Sequence, residues 1–216
     1  MLRIVLALFV IAMFSPAHAQ NRDQALIGVA GKGDLAAVER LIREGANVAA
    51  RDSRGRTALL AATHGNHVPV ARALIAAGAD VNAKDDIQDS AFLYAGAEGR
   101  IDILKMTLPT ADLGSTNRYG GTALIPAAHH GHAEVVRILL GTAIDKDHVN
   151  RLGWTALLEA VILGDGGPVH SEIVRLLVEA GANVNIADRE GVTPLQHAKR
   201  RGYVAMVRIL EARGAR

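Results

Sequence analysis

Apolar residues recur along this chain in short blocks separated by polar, glycine-containing turns, and the blocks repeat. Set in register, "GRTALLAATHGNHVPVARALIAAGADVN", "QDSAFLYAGAEGRIDILKMTLPTADLG", "GGTALIPAAHHGHAEVVRILLGTAID", "GWTALLEAVILG" continued by "SEIVRLLVEAGANVN", and "GVTPLQHAKRRGYVAMVRILEARGA" each carry a hydroxyl residue near their start. These are Thr57, Ser90, Thr122, Thr155 and Thr193, spaced by 33, 32, 33 and 38 residues. Two residues on stand Leu59, Phe92, Leu124, Leu157 and Leu195; five residues on stand Ala62, Ala95, Ala127, Ala160 and Ala198. That pairing is one stripe of a short helix. A further apolar set, Val70, Ile103, Val135, Ile173 and Met206, predicts a second helix facing the same core.

The polar positions repeat as well. Five residues before each hydroxyl stand Asp52, Asp85, Asn117, Asn150 and Asp188, residue types that start tight turns by bonding nearby backbone amides. The hydroxyl itself suits a helix N-cap. Between the two helices of each unit stand Asn66, Gly99, Gly131, Gly164 and Gly202, the residues a left-handed helix end requires.

This pattern resembles the ankyrin repeat, a unit of about 33 residues with a β-turn and two antiparallel helices. The resemblance implies an all-α solenoid covering nearly all of the chain, with short β-turn tips. Residues 20–50 fit as an N-terminal capping unit, with Leu26, Gly33 and Gly45 in register. Five units follow at residues 51–84, 85–116, 117–149, 150–187 and 188–216. The family's "TPLH" appears here as "TALL", "SAFL", "TALI", "TALL" and "TPLQ", so its histidine is missing from every unit. Gln88 stands where the other tips carry glycine, which predicts backbone strain in the second full unit. The fourth carries extra residues around "GDGGPVHS", near residues 164–171, read as an exposed loop between its helices.

Residues 1–19 break the pattern. Arg3, an apolar run over residues 4–14 and the small-residue exit "SPAHA" read as a secretory signal, with cleavage expected between Ala19 and Gln20. The run is short of the roughly 20 residues a spanning helix needs. Export to a periplasm, or secretion, is the expectation. Removing Arg3 leaves 23 basic residues against 22 acidic ones, so bulk charge selects no partner and disfavours nucleic acid. Without cysteine the chain forms no disulfide and performs no thiol chemistry.

Several segments imitate chemical motifs. "GVAGKGD" lacks the Ser or Thr and the spacing of a phosphate-binding loop; register makes it the turn of the capping unit. "GDGGPVHS" offers one carboxylate, Asp165, too few for a hard cation. "HHGH", residues 129–132, suggests a metal site, but neighbouring helical residues point about 100° apart, so His129 and His130 do not readily chelate one ion. His132 takes the place of a structural turn residue. A metal-dependent or catalytic protein using His129 and His130 stays the alternative reading.

The resemblance implies that turn tips and first helices line a concave face that binds other proteins. Register places Arg118 and Tyr119, Arg151, Leu152 and Trp154, and Arg189 on the tips. His129 and His130, Ile162 and Leu163, and Arg200 and Arg201 fall at the ends of first helices. Trp154 and Tyr119 beside the three aliphatic residues would form an apolar centre ringed by arginines, the composition of interface hot spots. The expectation is a non-enzymatic monomer without cofactor, neither nucleic-acid-binding nor membrane-inserted, whose protein partner offers an acidic and apolar patch.

Overall fold

A computed structural model of the chain describes residues 16–216. Among these residues twelve α-helices pair into six hairpins and no strand occurs. The first hairpin joins α1 (Pro16–Lys32) to α2 (Leu35–Arg43). Then come α3 (Ala58–His64) with α4 (Val68–Ala76), α5 (Ala91–Ala97) with α6 (Ile101–Thr107), and α7 (Leu124–His129) with α8 (Ala133–Leu140). The last two pairs are α9 (Ala156–Ile162) with α10 (Pro168–Glu179), and α11 (Pro194–Arg201) with α12 (Val204–Glu211). First helices pack on first helices and second on second, forming one solenoid with a continuous core. The recurring apolar positions fill that core: Leu59, Phe92, Leu124, Leu157 and all five register alanines are buried, as are Val70, Ile103, Val135, Ile173 and Met206. Small side chains bring the layers close; a Cβ on Gly96 would stand 2.9 Å from that of Ala123.

Five tips share one construction. The leading Asp or Asn accepts the amides two and four residues ahead: Asp52 from Arg54 and Arg56, Asp85 from Ile87 and Asp89, Asn117 from Tyr119 and Gly121, Asn150 from Leu152 and Trp154, and Asp188 from Glu190 and Val192. Four of the hydroxyls cap their helices, Thr57, Ser90, Thr155 and Thr193. Thr122 does not. In the other units the amide four residues ahead bonds the hydroxyl residue's carbonyl, but here that residue is Pro126, which has no N–H. The Ile125 amide turns to the Thr122 carbonyl instead, α7 starts late, and the buried Thr122 hydroxyl keeps no partner.

Neighbouring hairpins are joined by a second recurring device. Gly33 turns the capping hairpin at φ 77°, and the His67 ring of the next unit covers it, with Nε2 3.1 Å from the Gly31 carbonyl. A Cβ on Gly33 would lie 2.5 Å from that ring, so side-chain space and backbone conformation both demand glycine. His132 covers Gly99 in the same way and hydrogen-bonds the Ala97 backbone. His132 therefore supports the turn of the preceding unit rather than its own.

The inserted loop changes how this joint is made. His170, within an α10 lengthened to 12 residues, supplies the ring nitrogen 2.9 Å from the His129 carbonyl. The left-handed glycine of this hairpin is Gly166 (φ 72°), not Gly164 as register predicts, because the extra residues move the turn two positions along. Tyr203 covers Gly166, and its hydroxyl donates to the Gly164 carbonyl at 3.0 Å.

The apolar run of the expected signal lies outside the described residues, and the Ala19–Gln20 bond falls within α1. Bonds from α1 to the units behind it run from Arg22 to the Glu44 carbonyl, from the Asn47 amide to Asp23, and from Gln24 to the Arg51 carbonyl.

Gln88 adopts φ 67°, the left-handed conformation that its place in the tip requires. Gln88→Gly should stabilise the protein by about 1 kcal/mol in urea unfolding. Thr122→Val should be neutral or stabilising, whereas Thr155→Val, which removes a working cap, should cost about 1 kcal/mol by the same measurement.

Candidate functional site

Tips and first helices of the middle units frame a cleft of about 410 Å³. Of the residues expected to meet a partner, the fold brings Arg118, Tyr119, His129, His130, Leu152 and Leu163 together in its lining. Tyr119, Leu152 and Leu163 are 53%, 46% and 41% exposed, a large apolar area for three neighbouring side chains. The Arg118 guanidinium carbon lies 4.9 Å from the Tyr119 ring centre, and the same group pairs with Asp89 at 3.4 Å.

The other expected residues sit elsewhere. Trp154 is half-buried and does not line the cleft, so it is not the exposed centre that register predicts. Ile162 is likewise half-buried and outside it. Arg151 and Arg189 lie along the tips, where each covers the turn glycine of the preceding unit, Gly120 and Gly153 respectively. The Arg151 guanidinium donates to the Arg118 carbonyl at 3.1 Å and that of Arg189 to the Arg151 carbonyl. These arginines tie tip to tip instead of ringing an apolar centre. Arg200 and Arg201 are exposed at the end of α11, away from the cleft.

The histidine cluster separates into individual roles. His130 Nδ1 donates to the Ala97 carbonyl at 2.7 Å, and the His129 and His130 rings tilt against each other at 4.7 Å. Among the described residues no three His, Cys, Asp or Glu side chains converge as a metal site. Asp165, the loop carboxylate, accepts from the Gly167 amide and from His170 Nδ1.

Two contributors were not among the expected site residues. Tyr94 enters the cleft from α5 and stacks on His64 at 4.0 Å. Glu159 enters from α9, only 6% exposed, with Oε1 accepting from the equally buried Asn150 at 2.8 Å and Oε2 3.8 Å from His129 Nδ1. Both stand four residues beyond their unit's hydroxyl, one helical turn short of the helix-end positions used to define the face. Counting back four residues from Glu98 and from Leu163 finds them.

Burial pushes the Glu159 carboxyl up to about 7, the Asn150 hydrogen bond opposing it in part. Burial also lowers His129, with the positive charges His130 and His170 can carry acting in the same direction. Near neutral pH the cleft therefore holds a half-ionised carboxyl beside a mostly neutral imidazole.

A stack of helical hairpins joined turn to ring, with one open cleft along its tips, is a repeat scaffold. Models of ankyrin repeats match residues 3–85 and 91–188, and again 170–211. The putative ankyrin repeat protein YahD of Escherichia coli K12 is 37% identical over 188 residues, covering 86% of this chain and 94% of YahD. An ankyrin repeat domain from Acinetobacter baumannii AYE is 53% identical with a TM-score of 0.87, covering 89% of this chain and 98% of that one. The ankyrin domain of Bcl-3, of the IkappaB family, is 30% identical with a TM-score of 0.79, covering 88% and 86%. The chain belongs to the ankyrin repeat family, whose domains are protein-interaction modules.

The Glu159 proton has a consequence for stability. The folded chain holds it up to about pH 7, whereas the unfolded chain releases it near 4.5, so folding loses stability as pH rises through that window. Glu159→Gln keeps a partner for Asn150 and removes the ionisation. Its stability should match wild type near pH 4.5 and exceed it by about 1–3 kcal/mol at pH 8, read from urea melts at both pH values.

Proposed function

We propose that this protein is an exported, non-enzymatic interaction module that holds a protein partner in the cleft between its tips and first helices. The observation that carries this is the exposure of Tyr119, Leu152 and Leu163 around one cleft, with Arg118 stacked beside them. Aromatic, arginine and aliphatic groups meeting in a concavity supply the anchors that dominate protein interfaces. No serine, threonine or cysteine lines the cleft among the described residues, so the His129 and Glu159 pair has no aliphatic alcohol or thiol nucleophile to activate.

Export rests on residues 1–19 and on the position of the bonds that hold α1. Its links to the stack, at Arg22, Asp23 and Gln24, lie beyond the Ala19–Gln20 bond, so cleavage there would leave them in place. The working compartment is the periplasm, with the extracellular medium as the other destination of such a signal.

Crosslinking capture from the exported fraction tests both parts. The intact mass of the mature chain should correspond to a start at Gln20; retention of the leader would refute cleavage at that bond. Tyr119→Ala should lose the captured partner by at least tenfold at unchanged helicity. Trp154→Ala, outside the cleft, should leave capture near wild type. Equal capture by wild type and Tyr119→Ala would place the partner on another surface.

A further inference from the structure

We propose that the cleft takes an arginine side chain of the partner as its anchor, with the Glu159 carboxylate receiving the guanidinium and Tyr94 and Tyr119 providing its aromatic walls. The proposal rests on the partner-binding role assigned to this cleft and names the chemistry of what enters it. Glu159 is more than nine-tenths buried yet lines the cleft. One of its oxygens is held by Asn150, while the other has only a ring nitrogen at 3.8 Å, beyond hydrogen-bond distance. A buried carboxylate in that condition lacks the close donor that would compensate its charge.

Charge complementarity supplies the rest. Asp89, Glu98 and Glu159 all line the cleft, against a single arginine, Arg118, which already pairs with Asp89. The lining thus favours a cation, in contrast to the acidic partner that the tip arginines suggest in the sequence. A guanidinium fits better than an ammonium because it is planar, binds a carboxylate through paired N–H groups and stacks on aromatic faces. Leu152 and Leu163 at the rim are placed to pack against apolar neighbours of that arginine, which a free small guanidine does not offer.

The groups that titrate around Glu159 act in one direction. His129 faces it from the end of α7 and gains positive charge as pH falls, while Glu159 itself loses its negative charge; His130 lines the same cleft. From the following unit, His197 occupies the register equivalent of Glu159 and is held by Asp188 at 2.6 Å. Arg118 keeps its charge throughout. Binding of a guanidinium should therefore strengthen with pH.

The test uses the full mature chain and the peptide acetyl-Leu-Arg-Leu-amide, with Glu159 followed by carboxyl carbon NMR. Saturating peptide should lower the Glu159 titration midpoint by at least one pH unit, and affinity should rise about tenfold between pH 6 and pH 8, the change in ionised fraction of a group titrating near 7. Glu159→Gln should lose at least tenfold at pH 8 and flatten that dependence. The citrulline peptide, of the same shape without the charge, should bind at least tenfold more weakly, and arginine amide likewise. Equal binding of the citrulline peptide, or an unmoved Glu159 midpoint, would overturn the anchor. Equal binding of arginine amide would make the cleft a site for a small guanidine and overturn the partner assignment. These outcomes are separable from the capture experiment, because Tyr119→Ala can abolish capture of a partner that carries no arginine anchor.

Discussion

The structure depends on one joint: a left-handed turn between paired helices, covered by a ring from the next hairpin that also bonds the end of the helix before it. Gly33 with His67, Gly99 with His132, Gly131 with His170 and Gly166 with Tyr203 repeat this arrangement. In these four hairpins the first helix ends in carbonyls that its own backbone does not satisfy, and the neighbour supplies the missing donor. A hairpin of some thirty residues buries too little apolar surface to stand alone, so its stability lies in its contacts with adjacent units. The tips are tied by the same logic, through Arg151 to the Arg118 carbonyl and Arg189 to the Arg151 carbonyl.

This regular frame gives the cleft its particular chemistry. The position four residues past the hydroxyl is filled in turn by Ala61, Tyr94, Pro126, Glu159 and His197, and the middle three line the cleft. In the last two units that residue braces its own tip, Glu159 through Asn150 and His197 through Asp188. Only Glu159 carries a carboxyl there, buried among groups that do not neutralise it. The fold thus spends some of its stability at neutral pH on keeping a poorly compensated charge beside an open cavity.

The fold was legible in the sequence because its determinants are local and recur: the apolar stripes, the leading Asp or Asn of each tip, and the hydroxyl caps. Where a local exception entered, the outcome depended on a neighbour's chemistry. Pro126 displaced the Thr122 cap by lacking one hydrogen, and the insertion after Gly164 moved the left-handed turn to Gly166. The site was legible only in part. Arg118, Tyr119, His129, His130, Leu152 and Leu163 meet as register implies, since register fixes the face. Trp154 and the tip arginines Arg151 and Arg189 do not, since register does not fix which way a long side chain runs. Tyr94 and Glu159 were within reach of the same counting, one turn earlier along their helices.

The lengthened fourth unit shows how this architecture accommodates edits to its length. Its additional residues are absorbed in a surface turn and one further turn of α10, after which Ile173 re-enters the core position that Val135 holds in the unit before. The joint to the preceding hairpin survives because His170, in the first turn of the helix, reaches back where His67 and His132 do so from the N-cap position. The joint to the following one survives because a phenol, longer than an imidazole, spans to the Gly164 carbonyl. Each coupling is thus closed by whichever side chain has the right reach. An array built this way can change one link's length while leaving the phase of the links on either side intact.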